Sequence, residues 1–198
     1  MNKLITLALL GCSLVAVRAA QFQYSVTMNG QSEEPATGSP GVGFGSVIYD
    51  NTAHTLRLQV TFSGLVTTGT GITATHIHAA TTSAFSGTVG VATGTFPNFV
   101  FGVREGSYLG TLDLTQAGSF TTAYVSANGG TPATAEAALA AAMASGKAYW
   151  NIHSSTFSGG EIRGFLVAIP EPSTLALMGL GLAGLVGAVW SKRQQRPA

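Results

Sequence analysis

From residue 22 onward, apolar and polar side chains alternate. Phe22, Tyr24, Val26 and Met28 are separated by Gln23, Ser25 and Thr27, and Leu56, Leu58, Val60 and Phe62 by Arg57, Gln59 and Thr61. A period of two gives an extended segment one apolar and one polar face, so both runs predict half-buried β-strands. Asp50-Asn51-Thr52-Ala53 has the residues of a turn and joins the second run to a strand predicted at 43–49. Further strands are predicted at 72–79, 88–91, 108–112, 120–125, 148–153 and 162–167, linked by Gly- and Ser/Thr-rich joints. One segment departs from this pattern. Thr131 is a helix N-cap, Pro132 suits the first helical position, strong helix formers follow, and Gly146 ends the run. The spacing predicts a helix over 132–145 with Leu139 and Met143, one turn apart, on its buried stripe. The fold class is therefore all-β: an antiparallel, Greek-key-like β-sandwich or barrel with one short inserted helix. Residues 83–106 show no period and predict a long loop.

The two ends are apolar without alternation. Lys3, the apolar run 4–17 and the small residues Ala19 and Ala20 read as a secretory signal peptide over 1–20, cut by signal peptidase. Lipidation at Cys12 is the alternative, because Leu9-Leu10-Gly11-Cys12 resembles a lipobox. At the other end Pro170-Glu171-Pro172 precedes an uncharged run, 175–190, and then Lys192, Arg193 and Arg196. Sixteen helical residues rise about 24 Å, so a transmembrane helix needs Ser173 and Thr174 as well. The basic cluster places the C-terminus in the cytoplasm and the folded domain across the inner membrane. A Pro-Glu-Pro motif, an apolar helix and a terminal Arg cluster, in that order over 169–198, resemble the PEP-CTERM sorting signal. That resemblance implies recognition by an exosortase-type protease, a membrane anchor that is transient or permanent, and a final site at the cell surface or in the extracellular matrix.

Between the ends, 21–168 forms one domain. Over 21–169 it carries four basic and seven acidic side chains, a net charge of −3. So few scattered cations cannot track a phosphate backbone, which argues against nucleic-acid binding. Cys12 is the sole cysteine, so the domain after the leader has no disulfide, no thiolate metal site and no thiol nucleophile. There is no Gly-x-Ser-x-Gly elbow, no phosphate loop and no His-Glu-x-x-His.

Candidate chemistry lies in His76-Ile77-His78 and Asn151-Ile152-His153. In a strand, residues i and i+2 share a face, so His76 and His78 point one way while Ile77 points into the core, and Asn151 and His153 oppose Ile152. If the two strands are neighbours, three imidazoles meet, and neutral imidazole is a ligand for zinc or copper. The competing reading is a hydrogen-bonded polar cluster of His76, His78, Asn151, His153, Glu161 and Arg163 that ties strands together, with Glu161 and Arg163 pairing or orienting His153. His54 reads as a solvated turn residue, and Glu33 and Glu34 as an exposed loop before Pro35. Tyr149, Trp150 and Phe157 offer rings either to sugars or to the core.

Gly30-Gln31-Ser32-Glu33-Glu34-Pro35, the run 56–64, Thr75-His76-Ile77-His78-Ala79, Tyr149-Trp150-Asn151-Ile152-His153 and above all Ser158-Gly159-Gly160-Glu161-Ile162-Arg163-Gly164-Phe165-Leu166 resemble the CHRD domain over most of 22–167. The departure follows His78, where the family has a shorter connection and this chain an insert to about 118. The resemblance implies an immunoglobulin-like or Cu/Zn superoxide dismutase-like β fold without an established enzymatic activity. The expected function is a secreted, exosortase-sorted, non-catalytic binding or structural protein that contacts an extracellular protein or polysaccharide. The alternative is a mononuclear metal-binding protein or dismutase-like metalloenzyme using His76, His78 and His153.

Overall fold

The computed structural model describes residues 21–66 and 71–170, together with Leu180, Gly181 and Ala183, which are helical. The signal peptide with Cys12, Glu171, Pro172, Lys192, Arg193, Arg196 and most of the C-terminal apolar run lie outside the described residues. Among the described residues no helix is long and apolar enough to cross a membrane. Pro170 is exposed at the end of the domain.

The strands are β1 (Gln21–Asn29), β2 (Val42–Asp50), β3 (Thr55–Ser63), β4 (Ile72–His78), β5 (Gly106–Asp113), β6 (Tyr149–Ser154), β7 (Ile162–Phe165) and β8 (Val167–Ile169). They make one antiparallel eight-stranded sheet in the order β4-β6-β7-β1-β2-β3-β5, with β8 beside β1. The all-β, antiparallel expectation thus takes the form of an open sheet curled into a half-barrel. Alternation drives the curl, because Tyr24, Val26, Met28, Val47, Leu56, Leu58, Val60 and Phe62 all turn inward and are buried. In the β2–β3 turn, Asp50 Oδ1 accepts from the amides of Thr52 at 2.9 Å and Ala53 at 2.8 Å, which fixes the hairpin register.

Residues 79–105 fill the gap between the edge strands β4 and β5. This irregular stretch bonds to β4, since the Ile77 carbonyl accepts from Ala92 N at 2.9 Å and Val91 bridges to His78. Phe96 packs edge-on against Trp150 at 5.5 Å, and Phe99 lies 4.9 Å from the Tyr108 ring. Burying such rings contributes about 2–3 kcal/mol each, so the stretch is core as much as loop. Only Val91 of the strand predicted at 88–91 pairs, and only through that bridge.

Helix α2 (Pro132–Ala144) has its N-cap on Thr131 in a capping box with Thr134, and ends at Ser145 before Gly146, whose φ is +68°. Leu139 and Met143 are fully buried, as their spacing predicts. Residues 120–125 are a correction: the expected strand is instead the short helix α1 (Thr122–Ala127). Thr121 accounts for it, because its hydroxyl accepts from Tyr124 N and donates to Val91 O at 2.7 Å, capping the turn and docking it on the insert. The strand predicted at 162–167 is also split. Leu166 breaks it, with its side chain buried and its amide bonded to Ala148 O at 3.0 Å.

His54 is a further correction. Its Nδ1 lies 2.9 Å from Glu136 Oε2, and Glu136, buried on α2, also accepts from Tyr49 Oη at 2.8 Å. Burial and the Glu136 carboxylate together push the Tyr49 hydroxyl well above the usual phenol range. A polar turn residue therefore fastens the hairpin to the helix.

Candidate metal centre

β4 and β6 are neighbours, in a register that pairs His76 with Asn151, Ala74 with His153 and His78 with Tyr149. Alternation then sorts the side chains. Ile77, Trp150 and Ile152 are fully buried in the core, and the Trp150 indole donates to Thr75 Oγ1 at 2.7 Å. On the other face His76, His78, Asn151, His153 and Tyr149 come together. The imidazole centroids are 5.4 Å apart for His76 and His153, 6.1 Å for His78 and His153, and 6.2 Å for His76 and His78. One ring nitrogen from each lies within 4.8 Å of the others.

Backbone carbonyls fix two of the tautomers. His78 Nδ1 is 2.8 Å from Val89 O, and His153 Nδ1 is 2.9 Å from Ser158 O. A carbonyl only accepts, so each Nδ1 carries the proton and each Nε2 keeps its lone pair. His153 Nε2 and His76 Nδ1 are buried and have no hydrogen-bond partner among the described residues. Burial and the neighbouring rings hold His76 down at about 4. His78 and His153 are also held below the usual range, chiefly by burial. All three rings are thus neutral at pH 7, the state in which imidazole binds metal.

A second layer braces the first. Tyr149 stacks on His78 at 4.7 Å, and its hydroxyl donates to the same Val89 carbonyl at 3.2 Å. The Arg163 guanidinium lies 4.7 Å from the Tyr149 centroid, donates to Ser32 O and to Gly87 O at 3.2 Å, and pairs with Glu34 at 3.1 Å. Arg163 reaches these groups because β7 meets β1 at Asn29↔Arg163. Gly164 permits that approach, since a Cβ there would fall 2.0 Å from Thr27 O. The insert supplies Gly87 and Val89, so the unusual connection after His78 is part of the centre.

Glu161 and Arg163 do not pair, contrary to the expectation that they would join each other or orient His153. Glu161 precedes β7, and its carboxylate turns away to the Ser39 hydroxyl at 2.6 Å and to Val66 N. Glu33 is not an exposed loop residue either. It is buried 3.9 Å from Arg163, and its carboxyl is pushed up to about 7, because loss of water outweighs the attraction of the guanidinium. Its Oε1 has no partner among the described residues. Sequence reasoning missed Glu33, Tyr149 and Val89. The signal for Glu33 was that its motif, 30–35, and that of Arg163, 158–166, both carry the resemblance, in a domain with few charges. Tyr149 and Trp150 are buried, which removes them as an exposed sugar platform.

The CHRD domain family matches residues 24–166, and the PEP-CTERM protein-sorting motif matches residues 168–193. No curated protein and no solved structure matches the chain.

Proposed function

Because the chain belongs to the CHRD domain family and ends in a PEP-CTERM sorting motif, which marks it as an exosortase-targeted extracellular protein, we propose that its domain is a non-catalytic module that binds a transition metal ion, zinc or copper, through His76, His78 and His153. One observation carries this reading: two ring nitrogens, His76 Nδ1 and His153 Nε2, are buried without a partner among the described residues, inside a cluster of neutral imidazoles. Leaving a polar atom buried and unbonded costs about 1–3 kcal/mol, and a divalent ion would remove that cost at both atoms. Nitrogen donors, two of them with the remote N–H fixed by a carbonyl, suit zinc and copper, whereas calcium and magnesium prefer oxygen.

The centre is mononuclear in this reading. The fourth histidine, His54, is held by Glu136 at the β2–β3 turn, so a two-metal dismutase-like site has no further imidazole to draw on. Shielding of the ring nitrogens from solvent favours holding a metal over turning over a substrate. The test is elemental analysis and titration calorimetry of the purified protein beside a His76→Ala/His78→Ala/His153→Ala variant. One equivalent of zinc or copper is expected in the parent, with affinity reduced at least about 100-fold in the variant. Equal binding by the two proteins would overturn the reading.

A further inference from the structure

We infer that Asn151 is a fourth ligand, its side-chain oxygen closing the coordination of the ion held by His76, His78 and His153. This inference rests on the metal-binding reading above. Asn151 pairs with His76 across β4 and β6, precedes His153 by two residues on the same strand face, and is buried. Its Oδ1 lies 3.1 Å from His78 Nε2.

That contact is chemically odd without a cation. The bond from His78 Nδ1 to the Val89 carbonyl puts the proton on Nδ1, so Nε2 offers a lone pair. The amide oxygen offers another. In the orientation seen, the amide oxygen and not its NH2 faces Nε2. A Cβ built on Gly160 would fall 2.8 Å from Asn151 Nδ2 and 2.5 Å from Glu33 Oε1, so the amide's donor end and the unpartnered carboxylate oxygen flank the same glycine. With the donor end on the Glu33 side, the acceptor end is left facing Nε2. Two acceptors aimed at one region repel each other unless a positive centre lies between them.

In a tetrahedral site with bonds of about 2.0–2.1 Å, ligand atoms sit about 3.3–3.4 Å apart. The His78–Asn151 separation of 3.1 Å is near that value, whereas the three imidazole nitrogens, within 4.8 Å of one another, draw closer on binding the ion. Gly160, at φ +134°, is the only kind of residue that leaves room here, since any side chain would strike both Asn151 and Glu33. The resulting set is three nitrogens and one oxygen from the protein, with no position left for a metal-bound water. Closed four-ligand sets retain metal, while sites that activate water keep a position open.

Cobalt(II) serves as the probe, because its visible bands report coordination number and ligand exchange. The full purified protein, Asn151→Ala and Asn151→Asp are titrated with Co2+, and each loaded sample is then titrated with azide. The parent is expected to give an intense four-coordinate spectrum that azide does not alter. Asn151→Ala is expected to bind Co2+ about 10- to 100-fold more weakly and to change its spectrum on adding azide, which occupies the vacated position. Asn151→Asp keeps the shape and an oxygen donor, so it is expected to bind at least as tightly as the parent, resist azide and shift the bands. That variant keeps the test valid where the alanine variant does not fold. If Asn151→Ala matches the parent in affinity and azide resistance, or if parental Co2+ takes up azide, Asn151 is not a ligand although the three-histidine site stands. If the parent takes up no Co2+, zinc or copper, the metal reading itself fails and this inference with it.

Discussion

The fold buries polar side chains at two histidine-containing clusters and treats them differently. Where α2 meets the β2–β3 turn, both carboxylate oxygens of Glu136 have partners, Tyr49 at 2.8 Å and His54 at 2.9 and 3.1 Å. On the β4–β6 face, three imidazoles approach one another and two of their nitrogens are left without a bond among the described residues. Burial of polar groups is tolerated when each group finds a partner. The first cluster is therefore explained by the fold it fastens, hairpin to helix. In the second, no contact among the described residues satisfies those two nitrogens, and that is why it points to a ligand.

The contrast is broken most forcefully at Glu136. Glu136→Ala strips the acceptor from a buried tyrosine hydroxyl and from His54, so it is expected to lower unfolding stability by about 3 kcal/mol in urea denaturation. Zinc or copper affinity of the folded variant is expected to stay within about twofold, because coupling between groups without shared partners is small. Loss of metal affinity alongside stability would show that the two clusters act as one network.

The two clusters were unequally legible. His76 and His78 share a face by strand geometry alone, and so do Asn151 and His153, so each half of the centre could be read from residue spacing. Their meeting depends on β4 pairing with β6 rather than with its sequence neighbours, a non-local fact that spacing does not encode. Glu33 was hidden for the same reason. Two acids before a proline read as a solvated loop, and only the meeting of β1 and β7 at Asn29↔Arg163 buries one of them. Glu161 misled because Arg163 stands two residues on, yet β7 begins at Ile162 and the carboxylate leaves the sheet before the strand starts. Strands β1 to β3 and helix α2 were clear because alternation and caps act locally. Residues 120–125 were not, because a capped turn of Thr, Ala, Tyr and Val has the same composition as a short strand.

A smaller effect separates the groups by pH in the metal-free protein. The three histidines are held below their unfolded value near 6.5, His76 at about 4, so the stability of their neutral forms is present above pH 6.5 and lost as pH falls toward 4. Glu33 runs the other way. Its carboxyl rises from 4.5 to about 7, so its stability is present below pH 4.5 and lost as pH climbs through 7. Glu33→Gln is expected to remove that second loss, gaining on the order of 2 kcal/mol at pH 8 relative to pH 4.5 compared with the parent. Urea midpoints at the two pH values measure it, and parallel profiles for parent and variant would place Glu33 in water rather than beside Arg163.

The smallest expected effect comes from His54, although it makes the shortest histidine–carboxylate contact in the domain among the described residues. Its side chain is half exposed, so water competes for its ring while Glu136 keeps Tyr49 as a buried partner. His54→Ala is therefore expected to cost under about 1 kcal/mol in urea denaturation and to leave metal affinity unchanged. The positive φ of 54° at this position adds a further consequence. Asparagine and glycine tolerate that backbone conformation better than alanine, so His54→Gly is expected to recover part of the small loss despite giving up the same contact. A cost as large as that of Glu136→Ala would mean that the histidine, and not the tyrosine, is the partner that makes burial of Glu136 tolerable. The distinction between a fastened cluster and an open one would then rest on an imidazole at both sites.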